Sequence, residues 1–382
     1  MNMKSQYKLL SIISDVLIIS FSRCTENQTT PEPGNGKYVE LNSLLRIGST
    51  PGATLAIIRN FQIDTIITYG SKNFSTQDPV TRQTMFQAAS ISKPVTAFAV
   101  MKMVQDGLIS LDENVNDKLT SWQVPENTFT VIEKVTVKHL LSHRAGMPQG
   151  GKIGVLPGDT YPSLLQILNG EGDYLLCEPQ SIPGTNFLYS NEGYCVIQQL
   201  IIDVTGQSFE EYLYNTALAP LRMTSSTFEQ HLSAEFQTRT VTGHFGGYTP
   251  MLYGYQLHPK LAARGLWSTS EDLAKFMIEF LQSVKGESNI VLNQNIITQM
   301  VEPITHYTDH LDYGMGMGIA YFGGETYYWH SGGFDGTHCV MYGHESAGVG
   351  LVLMTNYCDL DPWDPVIELI VRIENWPGFE EE

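Results

Sequence analysis

The sequence predicts an α+β fold: an antiparallel β-sheet flanked by N- and C-terminal helices, with a helical domain inserted between its strands. Strand-like runs stand near the start of the folded chain, at 53–58 and 63–69, and return only near its end, at 316–322, 326–329, 337–342 and 349–354. Between them, residues 108–261 read mostly as helical pieces joined by long loops. Strands at both ends of a chain with helices between them form one sheet when the two termini come together.

Each element has its own signal. Residues 38–46 place Val39, Leu41, Leu44 and Leu45 near one face of a short helix. Pro51-Gly52 opens the first two strands, with Arg59-Asn60 as the turn of a hairpin. From Ser90 to Gly107 the apolar spacing becomes helical and broad, which implies a buried helix. Helix-compatible spacing recurs at 137–142, 161–168, 192–203 and 209–217. Ser270 is the expected cap of a helix running to residue 280, with Glu271 and Asp272 in its first turn where carboxylates suit the dipole. A last helix is expected at 366–373. The resulting division is a signal peptide at 1–22, a flexible tether at 23–36, a discontinuous sheet domain at 37–107 and 262–376, and a helical domain at 108–261.

The chain has 382 residues, enough to bury a substantial core. Its 22 Lys and Arg against 40 Asp and Glu give a net charge of −18, a surface that repels phosphates and excludes a nucleic-acid function. Lys4 and Lys8 precede an apolar run at 9–21, and Ser20-Phe21-Ser22 supplies a small-x-small cleavage pattern. A periplasmic or secreted protein is expected, and Cys24 just after the run is a candidate lipid anchor. Cys177, Cys195, Cys339 and Cys358 are read either as two disulfides or as buried free thiols; no CxxC pair supports a zinc site.

The chemistry is concentrated in three short motifs. Ser90-Ile91-Ser92-Lys93 sets a hydroxyl and an amine three residues apart at a helix entry, on one face. Pro94 is tolerated only in a first turn, so the helix must begin close to Ser90. A serine becomes a nucleophile when a base takes its proton, and a lysine serves as that base once burial or a nearby cation lowers its pKa. Tyr189-Ser190-Asn191 offers a phenol to relay a proton and an amide to hold a substrate carbonyl and the lysine. His330-Ser331-Gly332-Gly333 follows a strand-like run. Its glycines let a substrate backbone approach the strand edge, and His330 is a candidate switchable cation for a substrate carboxylate. Two chance matches stand beside these motifs: Ser5-Gln6-Tyr7-Lys8 in the signal segment and His244-Phe245-Gly246 in a Gly-rich loop.

In this order, Ser-x-x-Lys, Tyr-x-Asn and His-x-Gly resemble the serine β-lactamase and penicillin-binding-protein family, especially its class C β-lactamase and D-alanyl-D-alanine carboxypeptidase branch. The stretches at 137–146, 265–273 and 330–336 are also similar to that family, so the resemblance runs from about Pro51 to Asn356. It implies a β-lactamase/transpeptidase-like fold with the active site in a cleft between sheet and helices. It further implies an acyl-enzyme on Ser90, proton transfer by Lys93 and Tyr189, substrate orientation by Asn191, and an oxyanion hole formed by the N–H groups of Ser90 and Gly333. Tyr189 is then the expected base for water attack, and no cofactor is implied. This chain departs from the β-lactamase pattern at the third motif, where Lys-Thr-Gly is replaced by His330-Ser331-Gly332, closer to carboxypeptidase, D-aminopeptidase and esterase-like relatives. The expected substrates are D-amino peptides, β-lactams or esters.

Two rival readings carry different chemistry. His139 and His143, four apart, could share a helix face as zinc ligands, but no HExxH pattern and no third ligand accompany them. A penicillin-binding protein that acylates without turnover would use the same motifs, and the intact Ser90, Lys93, Tyr189 and Asn191 favour turnover.

Overall fold

The computed structural model describes residues 41, 43, 45, 50–152, 154–357 and 363–379; the expected signal peptide, tether, Cys24 and Cys358 lie outside them. Nine strands form one antiparallel sheet: β1 (Gly52–Arg59), β2 (Gln62–Asn73), β3 (Asp78–Pro79), β4 (Thr305–Thr308), β5 (Leu311–Tyr313), β6 (Gly318–Phe322), β7 (Glu325–Phe334), β8 (Thr337–His344) and β9 (Val349–Thr355). Their spatial order is β3-β2-β1-β9-β8-β7-β6-β5-β4, so the first and last strands of the chain, β1 and β9, pair in the middle. The described residues of 108–261 contribute no strand to this sheet.

The β1–β2 turn falls one residue later than the sequence suggests. Arg59 pairs with Gln62, and Asn60 and Phe61 both take positive φ, at 50° and 57°. Such a two-residue turn matches the twist of a hairpin, but only its first position suits the residue found there. Phe61 is held by a 2.9 Å hydrogen bond from its N–H to the Gly348 carbonyl and by the Lys285 amine 4.5 Å over its ring.

The helices are α1 (Ser92–Gln105), α2 (Val137–Leu141), α3 (Leu164–Leu168), α4 (Asn191–Thr205), α5 (Phe209–Leu213), α6 (Ala234–Arg239), α7 (Leu261–Arg264), α8 (Ser270–Lys285), α9 (Gln294–Met300) and α10 (Trp363–Glu374). Helix α5 continues as a π turn over Tyr214–Leu218. Thr269, not Ser270, caps α8, accepting from the Asp272 N–H at 3.2 Å. Ser270 is already helical and bonds Thr54 at 2.8 Å, tying α8 to β1.

Side chains of β1 alternate between two cores, as strand geometry requires. Ala56 and Ile58 face Phe98, Leu141, Tyr194, Phe276 and Met341, so sheet and inserted helices share one apolar cluster. Leu55 and Ile57 face Leu41, Leu45, Val366, Ile370 and Trp376 on the other side. The central strands are therefore covered on both faces, and one stretch of strand edge lies open: β7 pairs with β8 from Tyr327 to Phe334, but with β6 only as far as Trp329. From His330 to Phe334 one side of the strand is unpaired.

Candidate active site

Ser90 sits in a 3-10 turn, Ala89–Ile91, that runs directly into α1. Ala89 adopts φ 48°, a left-handed conformation that costs an L residue about 1–2 kcal/mol. The turn is locked in place: the Ala88 N–H donates to the Leu266 carbonyl at 2.8 Å, and Ser92 Oγ donates to the Ala89 carbonyl at 2.7 Å. Pro94 falls at the third helical position, where its missing N–H leaves no gap in the helix.

Lys93 is fully buried one turn after Ser90, with Nζ 3.2 Å from Ser90 Oγ, 2.8 Å from Asn191 Oδ1 and 3.0 Å from the Ala263 carbonyl. Burial, aided by the Arg264 guanidinium, holds its pKa well below the usual lysine value. A neutral amine has two N–H donors and one lone pair. The two carbonyl oxygens take the donors, which leaves the lone pair for the Ser90 hydroxyl.

Tyr189 and Asn191 flank the start of α4. Ser190 caps that helix, accepting from the Gly193 N–H at 3.1 Å while donating to the Pro148 carbonyl at 2.6 Å. The Tyr189 hydroxyl is hydrogen-bonded to Ser90, and its ring lies 4.7 Å from Lys93 Nζ. Burial pushes the phenol up to about 12, against the pull of Ser90 and Arg264, so it rests protonated. His143 packs its ring 4.2 Å from that of Tyr189 and accepts the Ser190 N–H on Nδ1 at 3.1 Å. Burial and the nearby Lys93 hold His143 neutral.

The third motif lines the open edge of β7. A Cβ at Gly332 would stand 2.5 Å from the Ala88 carbonyl oxygen and 2.7 Å from the Ser90 nitrogen, so the strand lies directly against the turn that carries Ser90. Gly333 is exposed beside it, and Ser331 pairs with Val340 of β8. His330 differs from the expected switchable cation. It is 5% exposed, and burial together with Lys93 lowers its pKa to about 3. Its Nδ1 lies 2.6 Å from the Ser331 carbonyl, which only accepts, so Nδ1 carries the proton and Nε2 takes the Tyr313 hydroxyl at 3.3 Å.

Several neighbours had no motif to announce them. Arg264, at the end of α7, is buried, and Tyr313 on β5 meets His330. Glu192, next to Asn191, forms a 2.6 Å ion pair with Lys260, both side chains being 1% exposed. The zinc reading required His139 and His143 on one helix face, but α2 ends at Leu141 and His143 lies beyond it at φ 58°. His244 of the chance match is fully buried and accepts the Phe74 N–H at 3.1 Å. Cys177, Cys195 and Cys339 are buried free thiols, which answers the disulfide alternative for these three.

A family model described as Beta-lactamase matches residues 41–363. Protein flp of Staphylococcus aureus (strain NCTC 8325 / PS 47) is 29% identical over 187 residues, 49% of this chain and 36% of that protein. Penicillin-binding protein 4 of Amycolatopsis lactamdurans is 28% identical over 196 residues, 51% of this chain and 49% of that one. The matches thus span less than half the length of these curated relatives. In three dimensions the chain is similar to the octameric penicillin-binding protein homologue from Pyrococcus abyssi, with TM-score 0.74, 23% identity, and 90% of this chain and 78% of that one covered. D-amino acid amidase from Ochrobactrum anthropi SV3 gives TM-score 0.71 at 20% identity, covering 89% and 98%. At these identities the likeness is one of fold.

Proposed function

The chain belongs to the beta-lactamase family, and from that premise we propose that it is a serine hydrolase that cleaves amide or ester bonds through an acyl-enzyme on Ser90. The observation that carries this reading is the Lys93 amine at 3.2 Å from the Ser90 hydroxyl oxygen, with burial holding its pKa well below the ordinary lysine value. As Ser90 Oγ attacks a carbonyl carbon, Lys93 Nζ takes its proton, and the new oxyanion is received by the N–H groups of Ser90 and Gly333. The Tyr189 phenol passes a proton to the departing amine or alkoxide and is replenished from Lys93. Water then attacks the acyl-enzyme by the reverse proton path and frees the acid. A phenol resting near 12 supports Tyr189 as a relay coupled to Lys93, rather than as a standing phenolate base.

The neutral imidazole of His330, in the place where β-lactamases of the class C branch carry a lysine, supports D-amino peptides, amides or esters over penicillins as substrates. The signal-like residues 1–22 support action outside the cytoplasm. Labelling wild type and Ser90→Ala with a fluorescent penicillin and a fluorophosphonate tests the nucleophile. Wild type should take up label and the variant none; equal labelling of both would end the proposal.

A further inference from the structure

We propose that Arg264 is the anion-binding residue of a subsite on the Asp335 side of the nucleophile, so that preferred substrates carry a carboxylate or similar anion there. This rests on the serine-hydrolase reading above and narrows its substrate class. A cavity of about 360 Å³ is lined by Gly154, Gln256, Arg264, Gly333, Phe334 and Asp335; Gly333 stands one residue along β7 from Gly332, which lies against the Ser90 turn. Gly333 links it to the reaction, being both a cavity wall and a candidate oxyanion donor. Arg264 is 6% exposed, yet its Nε and Nη1 are buried with no hydrogen-bond partner. Its guanidinium carbon lies 6.0 Å from the Phe334 ring centre.

A buried guanidinium without a counter-charge is costly, and folding has not supplied one. The buried carboxylate of Glu192 acts on Arg264 through space, but makes its ion pair with Lys260 at 2.6 Å and no hydrogen bond to the guanidinium. Asp335 is exposed at the cavity wall, where water screens its charge. Burial lowers the pKa of the other basic groups beside Ser90, Lys93 and His330, so Arg264 is the group there that holds its positive charge most firmly. A guanidinium offers a carboxylate two forks, Nη2 with Nε or Nη2 with Nη1, so an anion that meets Nη2 from the cavity finds one of the unpaired N–H groups beside it. The position is stiff, because Thr96 Oγ1 donates to the Ala262 carbonyl at 3.1 Å and Ser92 Oγ accepts the Leu266 N–H at 3.0 Å. His330 and this cavity flank Gly332 along the open strand. The anion reader therefore stands at the Phe334 end, opposite the histidine that the sequence suggested for that role.

The test uses matched esters that differ only in a carboxylate or a carboxamide, one pair with the group on the acyl half and another on the leaving half. Wild type, Arg264→Gln and Arg264→Lys are compared by the carboxylate-to-carboxamide ratio of kcat/KM. The ratio cancels any effect of Arg264 on Lys93, which both esters share. Wild type should prefer the carboxylate in at least one pair, Arg264→Gln should lower that ratio about 10- to 100-fold, and Arg264→Lys should fall between. Wild type without preference in either pair overturns the proposal, as does a ratio unchanged in the variants. Should the Gln variant not fold, the wild-type preference and the Lys variant decide. Ester hydrolysis that survives in Ser90→Ala would instead sink the serine-hydrolase reading and leave the subsite to be judged by the ratio alone.

Discussion

Lys93 Nζ lies 3.2 Å from Ser90 Oγ in a site where the lysine side chain is wholly buried, and on the proposed mechanism the charge state of this one amine decides the activity. With its pKa well below the ordinary lysine value, the amine is free to accept the hydroxyl proton. On a neutral ester, kcat/KM should rise with pH through the Lys93 pKa and hold a plateau above it. Lys93→Met keeps the length and apolar stem while removing the base, and kcat should fall by about 10³-fold or more. A Met variant within tenfold of wild type would remove Lys93 from the mechanism.

The buried Glu192–Lys260 pair acts on the same amine in two directions. Glu192 raises the Lys93 pKa and Lys260 lowers it. Glu192→Gln should therefore move the acid limb of the ester profile to lower pH, and Lys260→Met should move it to higher pH. Each single change strands a charge in the interior and should cost about 3–5 kcal/mol of stability, read by urea unfolding. Limbs that shift in the same direction would show that the pair does not act through charge.

Acid stability should report the buried histidines. A histidine whose folded pKa lies below its free value binds fewer protons folded than unfolded. Its stabilisation is complete above the free value, about 6.5, and is lost as pH falls toward the folded one. For His330 that folded value is about 3, and His143 is displaced in the same direction. Each should remove about 1.4 kcal/mol per pH unit below about pH 6.5, before most carboxylates titrate. His330→Gln should flatten the slope of the urea midpoint between about pH 6.5 and 5. An unchanged slope would mean the imidazole titrates freely.

Legibility in the sequence followed the range of the interactions. Ser90 and Lys93 are three residues apart and Tyr189 and Asn191 two, so helix entry and capping alone bring each pair close. The strands at 53–58 and 349–354 were visible as apolar runs, though their central pairing comes from the fold. Arg264 was hidden because Leu261-Ala262-Ala263-Arg264 reads as any short helix. It is buried because α1 pins the backbone of residues 262–266. Phe61 was missed as a turn residue because a phenylalanine at positive φ is supported by Gly348 and Lys285, from distant parts of the chain. The charge of His330 could not be read from its motif, because its burial comes from Tyr313, 17 residues away in the chain, and from the packing of the site.

The adjacent glycines of the third motif should respond differently to the same methyl group. At Gly332 the added carbon would fall 2.5 Å from the Ala88 carbonyl oxygen and 2.7 Å from the Ser90 nitrogen, both backbone atoms that cannot turn aside. Gly332→Ala must therefore push β7 away from the Ser90 turn and should lower kcat/KM about 10²-fold, with a stability loss of about 1–3 kcal/mol. At Gly333 the nearest atom is a His338 ring carbon at 3.4 Å, an ordinary contact, and the backbone N–H is kept. Gly333→Ala should stay within about tenfold of wild type, since its oxyanion donor is unaltered. Steady-state kinetics on one ester and a urea curve for each variant distinguish the two, and a larger loss at Gly333 than at Gly332 would mean the strand does not lie against Ser90 in this register.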